Sequence, residues 1–283
     1  MRGLNEHAQT RYFFAFALCL SAAIGIAFSG NLLTFLLFYE MLTLATYPLV
    51  VHKETKAAVM AGRKYLTYLL TSGVFLLLSI AWTYYLVGDL DFVPGGFLAG
   101  KADRDVLQIL FFTFMIGVGA KAAIMPIHAW LPTAMIAPTP VSALLHAVAV
   151  VKAGVFGSVR VVCYVFGPDL LKELDVWIIL AYFAAFTILV ASMFALAQDN
   201  LKRRLAFSTI SQLSYIILGA ALVTENSITG GILHIGNHAF MKITLFFTAG
   251  AIYVKTHVEN ISDMDGIGKQ MPFTMGAFTV GAL

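Results

Sequence analysis

Residues 117–132 read GVGAKAAIMPIHAWLP, and this stretch decides the fold. It prolongs an apolar run that begins near residue 106 and is too oily for a surface loop, yet Pro126 and Pro132 each remove a backbone donor and clash with the preceding turn. One straight helix over residues 106–137 would be about 48 Å long, far more than the roughly 30 Å of hydrocarbon in a bilayer. A broken helix is the consistent reading. Lys121 stands just before the break, and interrupted membrane helices place freed backbone groups around buried polar sites.

Outward from this stretch, apolar runs recur at 12–29, 31–51, 65–87, 106–125, 139–165, 176–197, 206–224 and 228–254, and a ninth starts at Pro272 and is cut off at Leu283. None shows the alternation of barrel strands. Pro138 and Pro140 fall in the first turn of the run at 139–165, where proline is tolerated. The twelve residues from Pro272 reach only about 18 Å, so the chain reads as a fragment of a longer polytopic protein. The expected class is an all-α polytopic transmembrane bundle.

Composition agrees. Of 283 residues 60% are hydrophobic and 12% charged, where soluble domains carry about a quarter charged. The net charge of +3 is not gathered in one arm or interleaved with aromatics, which excludes nucleic acid as a partner and leaves the lipid bilayer. Cys19 and Cys163 lie far apart in apolar runs without a CxxC, and read as helix-packing residues. Arg2 and Arg11 before the first run superficially resemble a signal peptide, but the run is long for one and a second span follows at once.

Loop charge sets an orientation, because Lys and Arg collect on the cytoplasmic side. With the N-terminus inside, the inner loops hold Arg2, Arg11, Lys53, Lys56, Arg63, Lys64, Lys202, Arg203, Arg204, Lys255 and Lys269. The outer loops hold only Lys101, Arg104 and Lys172, among a majority of acidic residues. A multi-pass protein of the cell inner (plasma) membrane is expected, with its N-terminus cytoplasmic.

A lysine or a glutamate sits in the middle of an apolar run at four places: Glu40, Lys121, Lys152 and Lys242. Each opposes insertion by about 2.5 to 3.5 kcal/mol at a helix centre, so each needs a use. Proton or cation transfer is the use that accounts for all four. For Lys121 the alternative is snorkelling to the interface near the break. Lys152 is midway along its run, where burial works against the ammonium form and suits a group that loads and releases protons; a permanently paired structural lysine is the other reading. Glu40 has no basic residue one turn away, so its partner must come from another helix, Lys121 or Lys152.

His234, His238 and Lys242 recur at i, i+4 and i+8, one face of a helix, whereas Phe240 and Leu245 are expected to point elsewhere. The ladder suits a proton relay. Zinc at the histidine pair is the competitor, but the zincin glutamate is missing between them and Lys242 would repel a cation. His128 and His146 either extend such a path or satisfy backbone groups freed by the prolines. Neither Gly117-x-Gly119 nor Gly266-x-Gly268-Lys269 has the context of a nucleotide loop, and no set of haem, flavin or cluster ligands occurs, so no cofactor and no metal are expected.

With these residues in view, the chain resembles the proton-conducting membrane transporter family: antiporter-like subunits of respiratory complex I, of membrane-bound hydrogenases and of Mrp-type Na⁺/H⁺ antiporters. The resemblance is carried by Gly119-Ala120-Lys121 leading into Pro126-Ile-His128-Ala-Trp130-Leu-Pro132, by Ala137-Pro-Thr-Pro-Val-Ser-Ala-Leu-Leu-His146, and by Val151-Lys152-Ala-Gly154. Asp199 to Gln212 and His234 to Lys242 extend it over essentially the whole chain, and the wording around the last segment with Gly266-Ile-Gly268 is most similar to the D-type subunit of Mrp antiporters.

The resemblance implies inverted five-helix repeats, a first at 1–167 and an incomplete second at 168–283, each with a broken helix. It implies Glu40 and Lys121 as a coupled ion pair, Lys152 as the next proton carrier, and His234, His238 and Lys242 as the link to the second half. The implied activity is exchange of H⁺ for a monovalent cation, Na⁺ being the expected one, within a complex of other membrane subunits. The alternative is a proton-pumping module of an NADH:quinone oxidoreductase or hydrogenase. In neither case is the chain read as a catalyst on its own. The short length puts independent transport in doubt.

Overall fold

The computed structural model describes residues 7–283, so Arg2, counted among the inner-side basic residues, lies outside the described part. Among the described residues all regular structure is helical apart from two isolated bridges. The main helices are α1 (Gln9–Phe28), α2 (Leu32–Val50), α3 (Lys56–Val87), α4 (Arg104–Ala122), α5 (Trp130–Thr133), α6 (Thr139–Phe166), α7 (Pro168–Glu173), α8 (Val176–Ala197), α9 (Leu201–Ala221), α10 (Glu225–Thr256) and α11 (Pro272–Ala282). Six of them (α1, α2, α3, α4, α6 and α8) are long and apolar enough to cross a membrane. By length alone α9 and α10 qualify as well, at roughly 31 and 48 Å. Their hydropathy is diluted by Lys202, Arg203 and Arg204 in one and by the His/Lys ladder in the other.

Two boundaries differ from the sequence reading for one reason, a capping side chain ahead of the charges. Thr55 accepts from Ala58 N, so α3 starts at Lys56 rather than 65, and Lys56, Arg63 and Lys64 are helical rather than loop residues. Asn200 accepts from Arg203 N, so α9 starts at Leu201 rather than 206 and takes in Lys202 to Arg204. These charges then tie the helix starts down: Lys64 donates to Thr133 Oγ1 at 3.2 Å and Lys202 to the Ala137 carbonyl at 3.3 Å.

The break after α4 is a built structure. Ala123 takes left-handed angles (φ 57°), ending the helix at Ala122, and the chain re-forms a short turn at α5 before a 3₁₀ turn and α6. Freed backbone groups find partners, as burial in lipid requires. Ile124 N returns to Gly119 O, Met125 N donates to Thr187 Oγ1 on α8, and the Trp130 indole donates to Ala120 O at 2.7 Å. The indole is fully buried against Tyr65. Gly154 lets α6 approach so closely that any side chain there would overlap the main chain of Lys121 and Ala122. α6 itself carries π-type turns at Leu144–Val148 and Val161–Phe166.

The interval from Asn31 to Asn200 recurs along the chain. Both asparagines cap a helix start, and both sit in the isolated bridges, Asn31 with Asp91 and Asn200 with Asn260. Thr55 and Thr224, the same interval apart, cap helices of 32 residues each, which end in left-handed Gly88 and His257. Gly62 accommodates Tyr47 and Val51, while Gly231 accommodates Ile216 and Ala220, all in register. The α1–α2–α3 arrangement is thus repeated by α8–α9–α10. Each is latched by acid chemistry at a loop: the Arg11 guanidinium, 2.6 Å away, holds the Glu54 carboxyl below its usual range, and Ser262 main-chain and hydroxyl donors do so for Asp199.

Candidate functional site

Of the ionisable side chains singled out by sequence, Lys121, His146, Lys152, His238 and Lys242 are buried at contacts between helices, and Glu40, His128 and His234 are half-buried. Lys121 ends α4 fully buried at the break, a position where the helix dipole favours a cation. Its ammonium donates to the Tyr39 carbonyl and lies 3.2 Å from the centroid of the Tyr39 ring. Glu40, the next residue on α2, was expected to pair with it. Instead, among the described residues the ion pairs within 4.0 Å are those of Glu54 with Arg11 and His7 and of Arg104 with Asp175. The Glu40 carboxylate lodges against Gly73 of α3, where a Cβ would collide with it. Both of its oxygens are buried without a hydrogen-bond partner, since the nearby Thr43 hydroxyl donates to Tyr39 O. Lys121 and Glu40 are electrostatic neighbours, but the cradle at Tyr39 and the room at Gly73 keep their charges out of contact.

Lys152 on α6 is 8% exposed and its Nζ lies 2.7 Å from His238 Nδ1 on α10, a direct link between the two halves of the chain. This contact is the centre of the site. One turn along α10 in either direction the ladder continues: His234 Nε2 is 2.8 Å from Gln212 Oε1, and Lys242 Nζ donates to Ser208 Oγ at 2.7 Å. His238 and Lys242 are buried, and His234 is half-buried in an open cleft of about 550 Å³ also lined by Tyr215 and Ser227. One nitrogen of each histidine is already engaged, His238 Nδ1 with Lys152 and His234 Nε2 with Gln212. Leu245 is buried, not turned away from the polar face as expected; three residues on from Lys242, it shares that side of the helix and packs against the α9 start.

His146 lies in the first π turn of α6, fully buried, its ring 4.9 Å from Phe246 and both nitrogens without a partner. It neighbours His238 and Lys242 electrostatically. His128 sits in the break itself, facing Phe207, with Nδ1 unpaired. Sequence reasoning missed Tyr39, Gly73, Gln212 and Ser208. A signal existed for the last two: Ser208 and Gln212 are one turn apart on α9, matching the spacing of the α10 ladder they meet. Nothing in the residues alone marked Tyr39 or Gly73.

The sequence profile of the NADH:quinone oxidoreductase/Mrp antiporter transmembrane family matches residues 29–283. The chain belongs to this family. Among curated relatives it is 34% identical to NADH-quinone oxidoreductase subunit N of Desulforudis audaxviator, over 100% of this chain and 56% of the relative. It is 32% identical to F(420)H(2) dehydrogenase subunit L of Methanosarcina mazei, over 99% of this chain and 44% of the relative. The chain therefore spans about half the length of the curated relatives it matches. Among solved structures, a chain of an archaeal membrane-bound sulfane sulfur reductase superposes with TM-score 0.84 at 28% identity, covering 95% of this chain and 55% of that one. The Mrp complex from a Dietzia species gives TM-score 0.84 at 26% identity, covering 93% of this chain and 29% of that one. The expected fold and family hold. The protein is an antiporter-like membrane subunit, and its relatives are subunits of multisubunit membrane complexes.

Proposed function

We propose that this chain carries protons along a buried axis of Glu40, Lys121, Lys152, His238 and Lys242, with His234, His146 and His128 as branches, inside a multisubunit membrane complex. The observation that carries the reading is the Lys152–His238 contact. It gives a lysine and a histidine from different helices a shared proton at 2.7 Å, buried from bulk water, where each group's charge depends on the other. Lys121 supplies the preceding step, because Gly154 seats α6 directly on its main chain, and the Lys242–Ser208 contact supplies the following one. The axis is mobile in charge, not in backbone.

The recurring Asn31–Asn200 interval supports a division into a first repeat at 1–167 and a second at 168–283. An odd number of crossings in the first would turn the second upside down in the membrane, with the N-terminus cytoplasmic and the cell membrane as the host. The coupled process in our reading is exchange of H⁺ for a monovalent cation, Na⁺ foremost. Redox-driven proton pumping is the second reading, and the names of the curated relatives favour it. The test is Lys152→Met and Lys152→Arg in the assembled complex, assayed in vesicles for proton movement driven by a sodium gradient or by quinone reduction. Both variants should lose coupling, the first having no titratable group and the second a charge it cannot release. Near-normal activity of the arginine variant would reduce Lys152 to a structural cation.

A further inference from the structure

Tyr39 touches Lys121 with two different groups, and nothing in the sequence motifs predicts that. Its carbonyl accepts from the ammonium and its ring face lies 3.2 Å below it. The ring is fixed at its far end, since the phenol donates to Gly117 O at 3.2 Å, one turn before Lys121 on the same helix. Phe35 packs on its side with ring centroids 5.3 Å apart. So α4 positions the aromatic face that holds its own lysine. The next residue on α2, Glu40, rests its carboxylate against Gly73, its two acceptor oxygens unfilled.

We propose that Tyr39 is a positioning residue that parks the Lys121 ammonium away from Glu40, so that carbonyl and ring face compete with the carboxylate for one cation. This rests on the relay reading above and adds to it the element that sets how long Lys121 stays free. An aromatic face holds an ammonium by its quadrupole, and more strongly in a site without water. A carboxylate holds it by full charge, but here its oxygens rest against Gly73 and not on the ammonium. Two discrete positions for one lysine follow: cradled on Tyr39, or paired with Glu40.

The experiment replaces Tyr39 in the assembled complex with phenylalanine and then with its mono-, di- and trifluorinated forms, which are nearly isosteric but weaken the ring face stepwise. Proton transport and the infrared carboxyl band of Glu40 are measured across the series. Transport should fall at each step, roughly thirtyfold in all, the size of a desolvated cation–π contact. Over the same series the Glu40 carboxylate bands should shift toward those of the paired carboxylate. A flat response in both overturns the proposal even if the phenylalanine baseline differs from the parent, since loss of the phenol alone reports the Gly117 anchor. Lys121→Ala separates the two levels. If it abolishes transport while the series is flat, the cradle is wrong and the relay stands; if it leaves transport intact, the relay falls and the cradle with it.

Discussion

The two halves of this chain share a scaffold and differ in what the scaffold holds. Moved along by the interval from Asn31 to Asn200, Tyr65 falls on His234 and Thr43 on Gln212, and both pairs touch: Tyr65 Oη donates to Thr43 O at 3.2 Å, and His234 Nε2 meets Gln212 Oε1 at 2.8 Å. Gly73 falls on Lys242, Tyr39 on Ser208 and Glu40 on Thr209. In the first half the glycine leaves room for an acid on the facing helix; in the second, the lysine fills that room and bonds the facing hydroxyl. Helix packing is thus held constant while charge is exchanged between helices. The lesson is that contact geometry here is set by small residues and caps, and is indifferent to which side of the contact carries the titratable group.

That comparison breaks most readily at Lys242. Lys242→Gly makes the second half resemble the first, but with Thr209 in place of an acid it leaves no titratable group at the contact. Proton transport should drop more than tenfold, while expression and membrane insertion improve or hold, since an ammonium is no longer buried. Retained transport in vesicles would remove Lys242 from the axis. Gly73→Ala is next in size. Its methyl group meets the Glu40 carboxylate, an overpacking that typically costs about 1 to 3 kcal/mol, and it denies Glu40 its seat. Transport should fall several-fold and thermal stability with it. A control is Gly236 on α10, which has open space where a Cβ would go, so Gly236→Ala should leave transport unchanged and stability unchanged or slightly raised. Equal effects of the two alanines would sink the idea that Gly73 is a seat.

A milder cut sharpens the pairing across α9 and α10. Gln212→Leu keeps the bulk and removes the bond to the half-buried His234, a loss of about 0.5 to 1.5 kcal/mol. Tyr65→Phe removes the corresponding bond of the first half. If the two contacts serve the same packing role, their stability losses should be similar, whereas only the Gln212 variant should change transport. A transport defect in Tyr65→Phe of the same depth would mean that the polar axis runs through the first-half contact as well.

Much of this was legible beforehand, and the reasons are physical. Hydropathy over 20-residue windows located the helices because lipid demands it, and the prolines around Lys121 exposed the break. Lys152, His238 and Lys242 announced themselves by cost, since an ionisable group in hydrocarbon needs a purpose. Apolarity alone places the starts of α3 and α9 too late, because it is blind to Thr55 and Asn200 as caps. The expected Glu40–Lys121 contact failed for a different reason. Charge sign alone suggests attraction, while the position of each head group is set by Tyr39 and Gly73, one by a ring face and a carbonyl and the other by the absence of a side chain. Neither leaves a mark in a list of charged residues.

The smallest expected effect lies at the two helix ends that the interval brings into register. Gly88 and His257 both close a 32-residue helix in the left-handed region, at φ 79° and 57°, and both donate their N–H to a carbonyl one turn back, Tyr84 and Tyr253. Glycine takes these angles without steric cost, whereas a residue with a Cβ gives up about 1 to 2 kcal/mol there. His257 is exposed, and its edge contact with the Tyr253 ring at 5.7 Å offsets only part of that strain. His257→Gly should therefore raise the unfolding temperature by a few degrees at most, and Gly88→Ala should lower it by a similar amount. The histidine lies at the end of α10 remote from His234 and His238, so transport should be untouched by the glycine. A fall in unfolding temperature on His257→Gly would show that this residue holds something beyond its own turn, and would end the equivalence of the two helix ends.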